Sequence, residues 1–167
     1  EMAGLNFELS LLAIDVDEVQ KKLEKHPWVR AVEVEKQFPH GLLIRAEKEE
    51  PRALVVAEKL YYMNRVGKVF KEVGANEAVD LPIITGLSTD KLDRQKQVGF
   101  SLKVLQFLES QKDPWSLKNL SEIHVKKEGD VCLYFSFLPA AVKLRAQDLD
   151  CKMEELKRVV EHLNSTG

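Results

Sequence analysis

Cysteine is scarce in this chain: only Cys132 and Cys151 occur in 167 residues. A disulfide framework at this size needs more than one pair, so two buried or half-buried thiols are expected, with a single bridge as the alternative. Such scarcity suits either side of a membrane and assigns no compartment. Long apolar runs are lacking too. Nothing approaches the ~20 residues that span a bilayer, and no basic segment followed by an apolar one opens the chain. As given, it reads as a soluble piece, and its abrupt start, EMAGLNFELS, fits a fragment of something anchored. Positive charge is not in excess either: 25 Lys and Arg face 27 Asp and Glu, a formal net charge of −2. That balance makes no electrostatic case for nucleic acid or for a polybasic membrane patch.

Catalytic signatures are equally thin. The nucleophile elbow, phosphate loop, dinucleotide fingerprint and H-E-x-x-H zinc motif do not occur. His26, His40, His124 and His162 fall at a helix end, a turn, a strand and a helix. None is spaced with another ligand as a metal pair on one element would be, so no metal or cofactor is expected. A Cys132–His124 pair on neighbouring strands is conceivable as a nucleophile and base. It would need an orienting third group and an open cleft, and a thiol that packs is the plainer reading. Glu47, Glu49 and Glu50 crowd around Lys48 in AEKEEPR. Burial of one carboxylate would suit acid–base work, but a solvated strand end is the usual fate of such a run. The expectation is therefore no enzyme and no catalytic residue, with a hydrolase as a distant alternative.

What is present is a mixed pattern with a real core: 44% of residues are hydrophobic and 31% charged, which argues against wholesale disorder. DVDEVQKKLEKH, residues 15–26, predicts a helix. Asp15 is its N-cap, Glu18 suggests reciprocal capping, and Val16, Val19 and Leu23 form its buried stripe. Pro27 disfavours helical geometry at His26. Val32 and Val34, then Leu42, Ile44 and Ala46, alternate with mostly polar neighbours and predict a hairpin turned at FPHG. One helix on one hairpin makes a small α+β layer with the helix over the apolar face.

The character changes after Pro51. ALVVA, LYYMN and KVFKEV are short strand runs, and NRVG signals a hairpin with Gly67 free to take positive φ. LPIITG is another short strand closed by Gly86. Residues 90–111 predict a long helix with Val98, Leu102 and Leu105 on one face, ended at DPW. SEIHVKKEGDVCLYFSF predicts an antiparallel hairpin around EGD. AAVKLR fits one more strand, and a last helix is expected over 148–163. Open sheet edges in such a layer accept a strand from a partner through main-chain hydrogen bonds.

LEKHPWVRAVEVEKQFPHGLLIRAEKEEPRAL resembles the core of the bacterial FtsQ/DivIB cell-division family. The matching steps are Pro27, Trp28 and Val29; Ala31 and Val34; Pro39; Leu42 and Ile44; and Pro51 with Ala53. GLNFEL resembles the family's stretch before that helix, and LYYMNRVGKVF its short hairpin, with Asn64 where an Asp is usual. Leu81, Pro82 and Gly86 match its Leu-Pro-x-x-x-Gly step. Departures are Lys48, where a Glu is common, and Leu144-Arg145, where Leu-Gly is common.

The resemblance implies an α+β chain: a partial POTRA domain over 1–50 followed by a mixed β domain with two helices over 51–167. The family's POTRA order is β-α-α-β-β. Only its second helix and last two strands are recognisable here, and the β domain's final strand is expected to be missing as well. A cytoplasmic tail and a single transmembrane helix would lie upstream, placing these domains outside the inner membrane at the division septum. The implied role is a non-enzymatic divisome scaffold that binds FtsB/DivIC and FtsL, with FtsB pairing to a strand beyond the last helix. Arg145, Lys152 and Lys157 are then the candidates for meeting acidic groups on a coiled-coil partner. Plain solvation is the competing reading for such charges, since exposed ion pairs contribute only ~0–1 kcal/mol. Trp28 is expected to wedge helix against sheet rather than act as a binding hot spot. The alternative function is a POTRA-bearing outer-membrane assembly or secretion factor.

Overall fold

A computed structural model describes residues 11–39, 41–126 and 130–145, with residues 151, 155, 158, 159, 161, 162 and 165. The chain divides into two compact units, Glu1–Glu50 and Pro51–Gly167.

In the first unit, α1 (Val16–Glu24) follows a short 3-10 turn, Leu11–Ala13. Asp15 caps α1 by accepting from the backbone N–H groups of Asp17 and Glu18 at 3.0 and 3.1 Å. The Glu18 side chain pairs with Lys22 at 2.9 Å, one turn on. The helix stops at Glu24, two residues short of His26, and its last turn tightens through a His26 N–H to Leu23 carbonyl bond of 3.0 Å. Strands β1 (Val29–Gln37) and β2 (Gly41–Lys48) pair antiparallel, with Val32 opposite Ala46 and Val34 opposite Ile44. Paired residues share a face. Val19, Val32 and Val34 form the buried core, with Val16, Leu23 and Leu42 packed around it.

The helix does not cover the whole hairpin, as the alternation suggested it would. Ile44 is 40% exposed, and Ala46 is exposed as well. A nine-residue helix is only about 14 Å long, and α1 spends it on β1. On the opposite, wet face Arg45 reaches Glu35 at 3.3 Å and Glu33 at 3.7 Å.

The second unit is a seven-stranded mixed sheet in the order β5-β4-β3-β6-β7-β8-β9. Its strands are β3 (Pro51–Val56), β4 (Leu60–Asn64), β5 (Val69–Glu72), β6 (Ile83–Thr85), β7 (Leu120–Val125), β8 (Val131–Phe135) and β9 (Val142–Leu144). Strands β3, β6 and β7 run parallel and the other pairs antiparallel. Parallel neighbours need a crossover, and α2 (Lys91–Glu109) supplies it between β6 and β7. Its inner side joins Val104, Leu105 and Leu108 to Ala53, Met63, Ile84, Ile123, Val131 and Leu133 in one core.

The buried stripe of α2 is rotated from the expected one. Gln97, Ser101, Val104, Leu105 and Leu108 are buried, while Val98 and Leu102 are only half-buried. Two polar residues in the stripe hid it. Each is satisfied: Gln97 Oε1 accepts from the Ser88 N–H at 2.7 Å, and Ser101 Oγ donates to the Gln97 carbonyl at 2.9 Å. Gly86 turns the chain out of β6 with φ +74°. A Cβ there would also run into the Val125 carbonyl. Gly67 takes φ +81° in the β4–β5 turn, where Asn64 Oδ1 accepts from the N–H groups of Val66 and Lys68.

The segment after β5 is pinned to β4 and β5 by one carboxylate. Glu77 accepts from Tyr62 Oη at 2.6 Å and pairs with Lys71 at 2.5 Å. The hydrogen bond from Lys71, then that from Tyr62 and a backbone bond at Gly74, pull the Glu77 carboxyl down to about 2. The same Glu77 bond, with burial, pushes the Tyr62 phenol up to about 12. Residues 127–129, which include Glu128 and Gly129 of EGD, lie outside those described, and the Lys126 N–H donates to the Asp130 carbonyl at 2.8 Å. Most of the helix expected over 148–163 is also outside them; the described residues from Cys151 to Ser165 are helical.

Candidate functional site

Thr85, His124, Cys132 and Lys143 stand opposite one another across β6, β7, β8 and β9. They therefore form one cross-strand rung, with Glu122 two residues from His124 on the same face. Thr85 Oγ1 donates to Glu122 Oε1 at 2.5 Å and lies 2.7 Å from His124 Nδ1. A hydroxyl has one proton. With it directed at Glu122, the hydroxyl accepts from His124, which then carries its proton on Nδ1. An imidazole that activates a nucleophile does the reverse and takes the hydroxyl proton. Thr85, Glu122 and His124 thus form a hydrogen-bonded cluster on one face of the sheet. Cys132 is buried, and His124 turns to Thr85.

Sequence reasoning raised the Cys132–His124 neighbours but missed Thr85 and Glu122. The spacing of Glu122 and His124 would have placed both on one face. Thr85, 39 residues from His124, could join them only once the parallel β6–β7 pairing was known.

The thiols differ from each other. Cys132 is buried as expected, Cys151 is exposed rather than half-buried, and both are free. The carboxylate run after β2 also departs from expectation: Glu47 and Glu50 are exposed, but Glu49 is only 1% exposed. Its backbone N–H donates to the Trp28 carbonyl at 2.9 Å, which draws the chain inward just as the strand ends. Glu47 pairs with Arg30 at 2.7 Å, and this bond raises the Arg30 guanidinium. Trp28 is half-buried, with Lys48 Nζ 5.2 Å from its ring centroid.

Among the described residues, no group of three His, Cys, Asp or Glu side chains is placed to hold a metal ion. No described helix is long and apolar enough to cross a membrane. Arg145 is exposed and directly follows β9, the last strand in the sheet order. Lys152 and Lys157 lie outside the described residues, as does His40.

Two family matches cover the chain. Residues 1–47 match the FtsQ-type POTRA domain. Residues 53–166 match the C-terminal domain of cell division protein FtsQ/DivIB. This chain belongs to the FtsQ/DivIB family. Similar curated relatives, each called cell division protein FtsQ, come from several bacteria. The relative from Geotalea daltonii is 28% identical over 173 residues, covering 99% of this chain and 62% of its own length. That from Myxococcus fulvus is 28% identical over 171 residues, with coverages of 99% and 59%. That from Anaeromyxobacter sp. strain K is 31% identical over 168 residues, with coverages of 94% and 54%. The chain thus spans a little over half the length of these FtsQ relatives. Its architecture fits them: an α+β POTRA unit followed by a β domain.

Proposed function

We propose that this chain is part of a non-enzymatic scaffold of the bacterial divisome, linking membrane-bound cell-division proteins at the septum through strand edges and surface contacts. The carrying observation is that both units match FtsQ/DivIB domains in order, joined to relatives named for cell division. The geometry supports it. Among the described residues the sheet ends in two edge strands, β5 and β9, and an edge offers unpaired N–H and C=O groups to a partner strand. On its face Thr85, Glu122 and His124 hydrogen-bond to one another. In the second unit the match to an FtsQ/DivIB C-terminal domain favours this reading over an outer-membrane assembly factor.

The whole protein is then held at the inner membrane by one helix upstream of these domains, which face away from the cytoplasm. Its partners are FtsB/DivIC and FtsL. Arg145, Lys152 and Lys157 meet acidic groups on that coiled coil beside the β9 end of the sheet. Co-purification of the full-length protein with the FtsB–FtsL pair tests this. The pair is retained by the parent and lost with Arg145→Glu, Lys152→Glu and Lys157→Glu combined. A parent that retains neither partner sinks the scaffold reading; a triple variant that retains both sinks these residues as the contact.

A further inference from the structure

The end of the sheet away from Arg145 carries a concentration of charge. Strands β3 and β7 both run parallel to β6, so the start of β3 and the 3-10 turn Leu117–Asn119 that leads into β7 lie at the same end. Arg145 follows β9, whose Leu144 pairs with Val131 at the other end of β8. Four cations from four separate segments gather at the first end: Arg52 on β3, Arg65 in the β4–β5 turn, Lys112 beyond α2, and Lys118. They line an open cleft of about 710 Å³. A smaller recess of about 210 Å³ adjoins it, with Leu102 and Leu105 in its wall beside Arg52 and Arg65.

The cleft's own acids do not consume this charge. Glu109 is paired to Arg52. Asp113 is held by Ser116 and by Asn119. Arg65, Lys112 and Lys118 are exposed, and among the described residues they make no ion pair. Arg52 Nε is buried and meets no acceptor among those residues. An excess of two positive charges therefore sits in a concave site, on a chain whose formal net charge is −2. Concavity with low-dielectric walls focuses such a field.

We infer that this cleft binds an acidic peptide segment of a partner protein, one in which Asp or Glu side chains flank an aliphatic residue. Carboxylates meet Arg65, Lys112 and Lys118, and the aliphatic side chain enters the recess against Leu102 and Leu105. A continuous anionic membrane surface fits less well. It would have to enter a concave site and would face Glu109 and Asp113 at the rim, whereas spaced carboxylates can avoid them. The site is separate from the Arg145 end and does not depend on the divisome reading.

Fluorescence anisotropy of a labelled peptide with glutamate pairs around a leucine tests this on the 167-residue chain. The chain binds it saturably, and ignores the same peptide with glutamine for glutamate. Lys112→Glu with Lys118→Glu weakens binding by about tenfold or more, as does raising salt from about 50 to about 300 mM. Both lysines are exposed; an unchanged thermal melt shows the variant folded, and Lys112→Ala with Lys118→Ala, expected to weaken binding less, replaces it otherwise. Absent saturation, equal binding of the glutamine peptide, or unchanged affinity in the folded variants overturns the proposal. So does sedimentation with phosphatidylglycerol vesicles that needs these lysines while the peptide does not bind.

Discussion

Val34 and Ile44 face the same way across the β1–β2 pair, yet Val34 is 8% exposed and Ile44 40%. In the second unit Ile84 and Ile123 also stand side by side, and both are 0% exposed. The strands of both units alternate. What differs is the second layer. Among the described residues of the first unit, one short helix lies against β1. In the second, the 19-residue α2 joins the central strands in one core, and Trp115 closes it against Phe135 at 5.2 Å. Period two marks which residues can be buried; the covering element decides which are. The comparison also separates two kinds of surface. Both units display exposed ion pairs, such as Arg45 with Glu35 and Lys59 with Glu72, but the basic cleft belongs to the second.

The contrast can be broken most severely at Gly86. Gly86→Ala forces a side chain onto a positive-φ residue beside the Val125 carbonyl. Urea unfolding should record a loss of about 3 kcal/mol or more in the second unit. Next, one substitution made in both units isolates the effect of cover. Ile84→Ala should cost about 3–4 kcal/mol by the same assay, and Ile44→Ala less than about 1 kcal/mol. Equal costs would mean that the two isoleucines are equally covered in solution.

Smaller effects sharpen the picture. Tyr62→Phe removes the phenol from Glu77 and should cost about 1–2 kcal/mol near neutral pH. Because the Glu77 carboxyl sits at about 2 in the fold and near 4.5 when free, its contribution is complete above the free value. It is lost as pH falls from there through about 2. Thermal melts across that window should fall more steeply for the parent than for Glu77→Gln. Least of all, Arg45→Ala on the wet face of the first unit should change stability by under about 0.5 kcal/mol.

Much of this was legible in the residues. Asp15 and Pro27 bracket α1, Gly67 and Gly86 mark turns that need positive φ, and the short apolar runs after Pro51 are strands. Local chemistry writes such features. The register of α2 was not legible, because Gln97 and Ser101 occupy buried positions and are satisfied only by the fold itself. Nor was the burial of Glu49, in a run that reads as solvated. The rung and the basic cleft stayed hidden for a common reason. Their members come from distant segments, brought together by parallel strand order that one chain's periodicity does not encode.

On the proposed scaffold reading, the protein works through edges and surfaces rather than through a reactive side chain. Cells depleted of their own copy and supplied with a full-length version carrying Thr85→Ala, Glu122→Gln, His124→Ala and Cys132→Ser test it most directly, with cell length as the readout. Given a folded, normally abundant variant, cells should divide at parental length. Undivided filaments from such a variant would contradict it.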